Sequence, residues 1–214
     1  MDYAAQRAKM VDNQIRTTDV TSRTVLAAFL AVPREKFTPE HLKALSYIDT
    51  DINVGEGRYM MEPSPLAKML QLLDLRAGER VLEIGAASGY SAALMAHMGA
   101  SVVTVEETPA AAEFAKAALD GVDNVTLVTG ALSVGCPAKG PYDAIFVNGA
   151  VEELPQSLFD QLKEGGRLVA VFGEGLASSA KVFVSEGRAV SERFGFNTSV
   201  RKLPGFEKIA EFVF

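Results

Sequence analysis

The chain has one cysteine and two histidines among its 214 residues, and these shortages exclude several chemistries at the outset. Cys136 has no partner for an internal disulfide, and no acidic or basic motif around it marks a nucleophile, so it reads as a loop thiol. His41 and His97 stand far apart without ligand-spaced neighbours. A metal site and a Ser–His–Asp hydrolase are both hard to build from them. No apolar run is long enough to span a bilayer. The opening MDYAAQRAKMVDNQ lacks the apolar core of a signal peptide, so a cytoplasmic location is expected. Lys and Arg number 21 against 27 Asp and Glu, a formal charge of −6, which disfavours nucleic acid and anionic membrane as partners. Internal repeats and low-complexity linkers are missing too. What is there, 48% hydrophobic and 22% charged residues, is the balance of a globule with one sizeable core.

The pattern changes near residue 62. Before it, AKMVDNQIRTTDV and TVLAAFLAV carry apolar residues at helical spacing, Pro33 and Pro39 punctuate them, and His41 to Tyr47 reads as a further short helix. This part cannot cover a sheet alone and is expected to be a cap. Ser64 and Pro65 then read as N-cap and first residue of a helix, LAKMLQLLDL. Apolar strands follow in VLEIG (81–85), SVVTVE (101–106), NVTLVTG (124–130), YDAIFVNG (142–149) and GRLVAVFG (166–173). YSAALMAHM, PAAAEFAKAALD and LPQSLFDQL read as the helices among them. Strands apolar on both faces, alternating with helices, imply an α/β fold with a parallel sheet covered by helices. AKVFVSEG, TSVRKL and KIAEFVF read as strands that finish one edge with an antiparallel element.

The strongest chemical signal is VLEIGAASGYSAAL (81–94), in which Gly85 and Gly89 frame a turn from strand to helix. Such a turn presents backbone N–H groups and a helix N-terminus to a ligand at the carboxyl edge of the sheet. Glu106 ends the next strand, where a carboxylate can hold both hydroxyls of a ribose. Together these point to a nucleoside cofactor. The turn, Gly85-Ala86-Ala87-Ser88-Gly89, lacks the middle glycine of a dinucleotide site, and Glu83 just before it would repel a pyrophosphate. A cofactor with an ammonium, a sulfonium and no phosphate, S-adenosylmethionine, fits better. A nicotinamide-dependent oxidoreductase on the same architecture is the weaker alternative.

These residues resemble a class I methyltransferase, and more narrowly the protein-L-isoaspartate O-methyltransferase family. The resemblance covers about Met10 to Gly173 and is carried by MVDNQIRTTDVTSRTVLAAFLAVPREKFTPE, YIDTDINVGEG, RAGERVLEIGAASGYSAALMA and PYDAIFVNGAVEELPQSLFDQLKEGGRLVAVFG. It implies a doubly wound, mostly parallel seven-stranded sheet with an N-terminal helical cap. Residues 1–62 would form the cap and substrate loop, and 63–214 the cofactor-binding domain, in one compact unit. The implied activity is S-adenosylmethionine-dependent methylation of the free carboxylate of isoaspartyl residues in damaged proteins, as a repair reaction. Isoaspartyl proteins or peptides are the implied partners. Cofactor contacts fall on Glu83, Gly85, Ala86, Ala87, Ser88, Gly89, Glu106, Gly130, Ala131 and Leu132. Acceptor contacts fall on Gly57, Tyr59, Met60, Met61, Glu62 and Asn148. No metal is implied.

The chain departs from the family at several of these positions. Where the family loop reads Gly-His-Gly-Gln-Thr-Ile-Ser-Gln-Pro, this chain has Gly55-Glu56-Gly57-Arg58-Tyr59-Met60-Met61-Glu62-Pro63. The family serine at the transfer site thus falls on Met61, which cannot donate a hydrogen bond. Gly130-Ala131-Leu132 replaces Gly-Asp-Gly, Ala87 replaces a glycine, and Asn148 stands for a threonine or histidine. Two accounts stay open: backbone amides replace the lost hydroxyls in an active enzyme, or a relative binds the cofactor with catalysis lost or changed.

Overall fold

The computed structural model describes residues 1–173, 175–187 and 189–208. The N-terminal region holds α1 (Tyr3–Met10) and α2 (Arg23–Ala31), joined by a π-helical and a 3-10 turn over residues 11–18. Ser22 caps α2 by accepting from the Val25 N–H. Two 3-10 segments, Arg34–Phe37 and Glu40–Leu45, follow. The glycine-flanked stretch after them is a small antiparallel hairpin of β1 (Ile52–Gly55) and β2 (Arg58–Met60), not an irregular loop. Its turn places Gly55, Glu56 and Gly57 at positive φ, a conformation that favours glycine, which occupies two of the three positions.

The helix after the hairpin, α3 (Pro63–Leu73), starts two residues earlier than the sequence suggests. Pro63 and Pro65 both fit a first turn, where the missing N–H groups have no intrahelical partner anyway. Ser64 is therefore no cap, and its hydroxyl is hydrogen-bonded to that of Thr18 at 3.0 Å. The sheet follows as β3 (Arg80–Ile84), α4 (Tyr90–His97), β4 (Ser101–Glu106), α5 (Pro109–Ala118), β5 (Val125–Thr129), β6 (Tyr142–Val151), α6 (Gln156–Phe159), β7 (Leu162–Phe172), β8 (Ser179–Glu186) and β9 (Ala189–Asn197). Its order is β5-β4-β3-β6-β7-β8-β9: the first five are parallel to one another, and β8 and β9 continue as an antiparallel meander.

Two expectations at the C-terminal side change. LPQSLFDQL gives a helix of only four residues, because Leu162 already belongs to β7. TSVRKL contributes a single bridge, Lys202 beside Ala150, and AVSERFGFN supplies the edge strand β9 instead. Most of KIAEFVF lies outside the described residues.

Alternation along the central strands divides the interior between the two sheet faces. Val81, Phe146 and Val169 point to one face, where they meet Met10, Ile15 and Phe29 of the cap and Leu66, Leu70 and Leu94 of α3 and α4. Leu82, Ile145 and Leu168 point to the other, against Leu132, Leu158 and Phe206. A single apolar cluster thus joins the cap to the sheet. Gln71 fastens the seam: its Oε1 accepts from the Thr21 and Ser22 N–H groups at 2.8 and 2.9 Å, and its Nε2 donates to the Asp19 carbonyl at 3.0 Å.

Candidate active site

The carboxyl ends of β3, β4 and β6 bring together most of the residues singled out in the sequence. The turn after β3 puts Gly85 at φ 89°, Ala87 at φ 49° and Gly89 at φ 83°, and α4 starts from it. Ala87 holds a left-handed conformation that costs an alanine about 1–2 kcal/mol. The backbone turned in this way aims the Ala87 N–H at Glu106 Oε2, 2.8 Å away. Glu106 is fully buried, and its Oε1 also accepts from the Glu107 N–H at 2.9 Å.

Beneath the turn runs a buried polar chain. Parallel pairing sets Glu83 beside Thr104, whose hydroxyl donates to Glu83 Oε2 at 2.6 Å. The Ser91 hydroxyl donates to Glu83 Oε1. A register shift in β6 between Phe146 and Ala150 turns Asn148 into this chain. Its Nδ2 donates to the Gly85 carbonyl at 2.9 Å and to Ser91 Oγ at 3.0 Å, while its Oδ1 is buried without a partner. Burial pushes the Glu83 carboxyl up to about 7, against the pull of its two hydroxyl donors.

The hairpin reaches across this site through Arg58. Its guanidinium is buried, with Nε 3.2 Å from Glu106 Oε1 and 3.3 Å from Oε2. A Cβ on Gly85 would collide with Arg58 Nη2 and lie 2.8 Å from Leu203 Cδ1. Arg58 and Leu203 therefore pack directly over the first glycine of the turn. Leu203 arrives there because residues 201–203 run along the shifted end of β6, with the Leu203 N–H on the Ala150 carbonyl at 2.8 Å.

The acceptor positions divide. Gly57 lies at the hairpin tip, and Tyr59 stacks under the Arg201 guanidinium at 4.9 Å. Met60 and Met61 are both buried in the core rather than offered to solvent. Met61 also borders a small cleft with Tyr59, Asn148, Gly149 and Arg201. Glu62 is half-buried, and burial together with Asp51 and Asp49 raises its pKa. Its N–H donates to Asp51 Oδ1 at 3.0 Å. Gly130 lies beside the site, its N–H on the Glu106 carbonyl at 3.0 Å. Ala131 is exposed, and Leu132 is buried in the apolar core of the second sheet face.

Sequence reasoning gave no role to Arg34, Arg58, Ser91, Thr104 or Leu203. Thr104 was within reach, since it pairs with Glu83 once the two strands are aligned in parallel. The Arg58–Glu106 contact spans 48 residues and left no local signal. Two larger hollows lie elsewhere, one of about 710 Å³ lined by Pro33, Phe37, His97 and Asn124, and one of about 640 Å³ between α5 and β5. They contain none of these groups. Among the described residues no His, Cys, Asp or Glu cluster suits a metal ion, and no helix is long and apolar enough to cross a membrane.

A doubly wound sheet, a glycine turn and an acid closing the second strand define a nucleoside-binding α/β protein. Residues 5–194 match the family model described as protein-L-isoaspartate(D-aspartate) O-methyltransferase. The chain is 46% identical over 173 residues to protein-L-isoaspartate O-methyltransferase 1 of Rhodopseudomonas palustris, covering 80% of this chain and 71% of that one. It is 44% identical over 170 residues to the Methanoculleus marisnigri protein-L-isoaspartate O-methyltransferase, covering 78% and 77%. A solved protein-L-isoaspartate O-methyltransferase superposes with a TM-score of 0.82 at 31% identity, over 93% of this chain and 66% of that longer one. A Plasmodium falciparum chain solved with S-adenosyl-L-homocysteine shares the fold at a TM-score of 0.79 and 22% identity, over 92% and 97% of the two chains. The chain belongs to the protein-L-isoaspartate(D-aspartate) O-methyltransferase family.

Proposed function

We propose that this chain is an S-adenosylmethionine-dependent enzyme that methylates the free carboxylate of isoaspartyl residues in damaged proteins, and so initiates their repair. The observation that carries the reading is Glu106, held by the Ala87 N–H at the mouth of the glycine turn, with the hairpin laid over it through Arg58. Two buried carboxylates and the unpartnered Asn148 Oδ1 suit a ligand with a ribose diol and an ammonium. The residues present fit S-adenosylmethionine once Arg58 and Leu203 yield the space over Gly85.

When bound, that cofactor supplies a sulfonium methyl, whose transfer to a carboxylate oxygen breaks the carbon–sulfur bond and leaves the electron pair on sulfur. The acceptor carboxylate is already ionised at neutral pH, so the chain needs no strong general base. Its contribution is alignment and the exclusion of water. Glu106 would hold the ribose, and Asn148 Oδ1 and the Glu83 network would receive the ammonium side. The cap and hairpin, residues 1–62, would close over the domain of residues 63–214. Isoaspartyl proteins are the partners, and a cytoplasmic location accords with repair of intracellular protein.

Transfer of labelled methyl to an isoaspartyl peptide and to its aspartyl twin tests the proposal. Label on the first alone is expected. No turnover above background on the isoaspartyl peptide, in protein that binds S-adenosylhomocysteine, overturns the activity while leaving the cofactor.

A further inference from the structure

We infer that Arg58 is a specificity-determining residue of this site: it leaves Glu106 when the cofactor ribose arrives and takes up the acceptor's carboxylate. The inference rests on the isoaspartyl reading above. It starts from charge. Glu83 and Glu106 are buried at the strand ends, and Asp51 and Glu62 lie beside the cleft that Met61 borders. An anionic acceptor drawn into these surroundings needs a cation, and Met61 supplies not even a hydroxyl.

Three guanidiniums are near enough to consider. Arg34 is fully buried and its Nη1 also lacks a partner, but Nε on the Ser46 carbonyl and Nη2 on the Met61 carbonyl tie it to two backbone segments, and its Cζ lies 4.9 Å from the Tyr90 ring centroid, so it cannot turn to an acceptor without stranding both carbonyls. The Arg201 side chain is 63% exposed and paired with Asp51, so solvent screens it. Arg58 is buried and touches Glu106 through Nε alone, while its Nη2 has no partner and presses on Gly85. A guanidinium edge with an unused donor, placed at the turn, is the fork that grips a carboxylate with two parallel bonds.

The residue is also built to let go. Glu106 keeps the Ala87 and Glu107 N–H groups when the guanidinium departs, so it is not stranded. A ribose diol and Arg58 compete for the same two oxygens. Arg58 follows Gly57, whose surroundings at the hairpin tip are open, and the β1–β2 pairing shifts register between Asn53 and Gly55. The tip therefore has room to carry Arg58 from one carboxylate to the next.

The test compares wild type, Arg58→Gln and Arg58→Lys by two readouts. The first is calorimetric titration with S-adenosylhomocysteine, then with isoaspartyl peptide into that complex. The second is steady-state methylation with the peptide varied. For Arg58→Gln we expect S-adenosylhomocysteine to bind at least as tightly as to wild type. Peptide affinity and peptide kcat/KM should fall tenfold or more, with Arg58→Lys restoring part of both. Unchanged peptide affinity and KM in Arg58→Gln, or a loss confined to S-adenosylhomocysteine, overturns the inference and leaves the isoaspartyl reading standing. Wild type that binds S-adenosylhomocysteine but neither binds nor methylates the peptide overturns that reading, and the role of Arg58 with it.

Discussion

Asn148 donates its amide to the Gly85 carbonyl at 2.9 Å, and this bond ties the shifted end of β6 to the first residue of the glycine turn. The carbonyl can only accept, so the amide oxygen must face the other way, buried and unpaired. Asn148→Ala removes two buried hydrogen bonds, and a loss of about 2 kcal/mol is expected in urea unfolding. Asn148→Asp sets a carboxylate against that carbonyl and near Glu83. It should destabilise more than alanine does, and the order of the two midpoints checks the geometry.

Glu83 gives the protein a distinctive pH response. Its carboxyl rises from an ordinary 4.5 to about 7, with burial as the main cause. The folded state then binds more protons than the unfolded chain between these values, so this residue's contribution to stability falls as pH rises through the window. The difference amounts to a loss on the order of 3 kcal/mol by pH 8 relative to pH 4. Glu83→Gln carries no such charge. Unfolding free energies of the two proteins should diverge in favour of the variant from pH 5 to pH 8, and parallel curves would refute the assignment.

Ala87 holds φ 49° without being glycine. Ala87→Gly relieves left-handed strain and concedes some unfolded-state entropy, for a net gain of about 0.5–1 kcal/mol. Its thermal midpoint should rise. Affinity for S-adenosylhomocysteine should rise with it if the methyl group also crowds the ligand.

Met61→Ser exchanges packing for a donor. The side chain is buried, and its truncation is expected to cost about 2–3 kcal/mol of stability. The new hydroxyl would border the same cleft as Asn148 and can donate to an incoming carboxylate. The isoaspartyl kcat/KM should rise up to tenfold. A stable variant with no gain would show that the hydroxyl is dispensable in this chain.

Arg34 holds the segment behind that cleft. Both its carbonyl bonds, to Ser46 and Met61, measure 2.8 Å. Arg34→Met keeps apolar volume but strands both carbonyls, with an expected loss of about 3 kcal/mol. Arg34→Lys keeps the charge and one bond and should lose about half of that, as urea midpoints will report.

The central strands were legible because both their faces are apolar, which leaves little choice of structure. Gly85, Gly89 and Glu106 were legible because the turn and the strand end are local features. β9 was not: its residues are mostly exposed or half-buried, and Gly195 interrupts them, so AVSERFGFN shows no alternation. The hairpin was too short to register as strands. Its methionines looked like reactive-loop positions because nothing local indicates that Arg34, 27 residues earlier, fastens Met61 inward. Arg58 was visible as a residue but not as the partner of Glu106, since tertiary folding alone brings the two together.

The seam at Gln71 has a consequence for how the chain is made. The cap leaves the ribosome before α3 and α4, so the side chain that fastens its turn, and the surfaces that cover Met10, Ile15 and Phe29, follow later. During synthesis those apolar residues wait uncovered for the length of chain that reaches α4. The cap's apolar face is thus completed only by chain that is made after it.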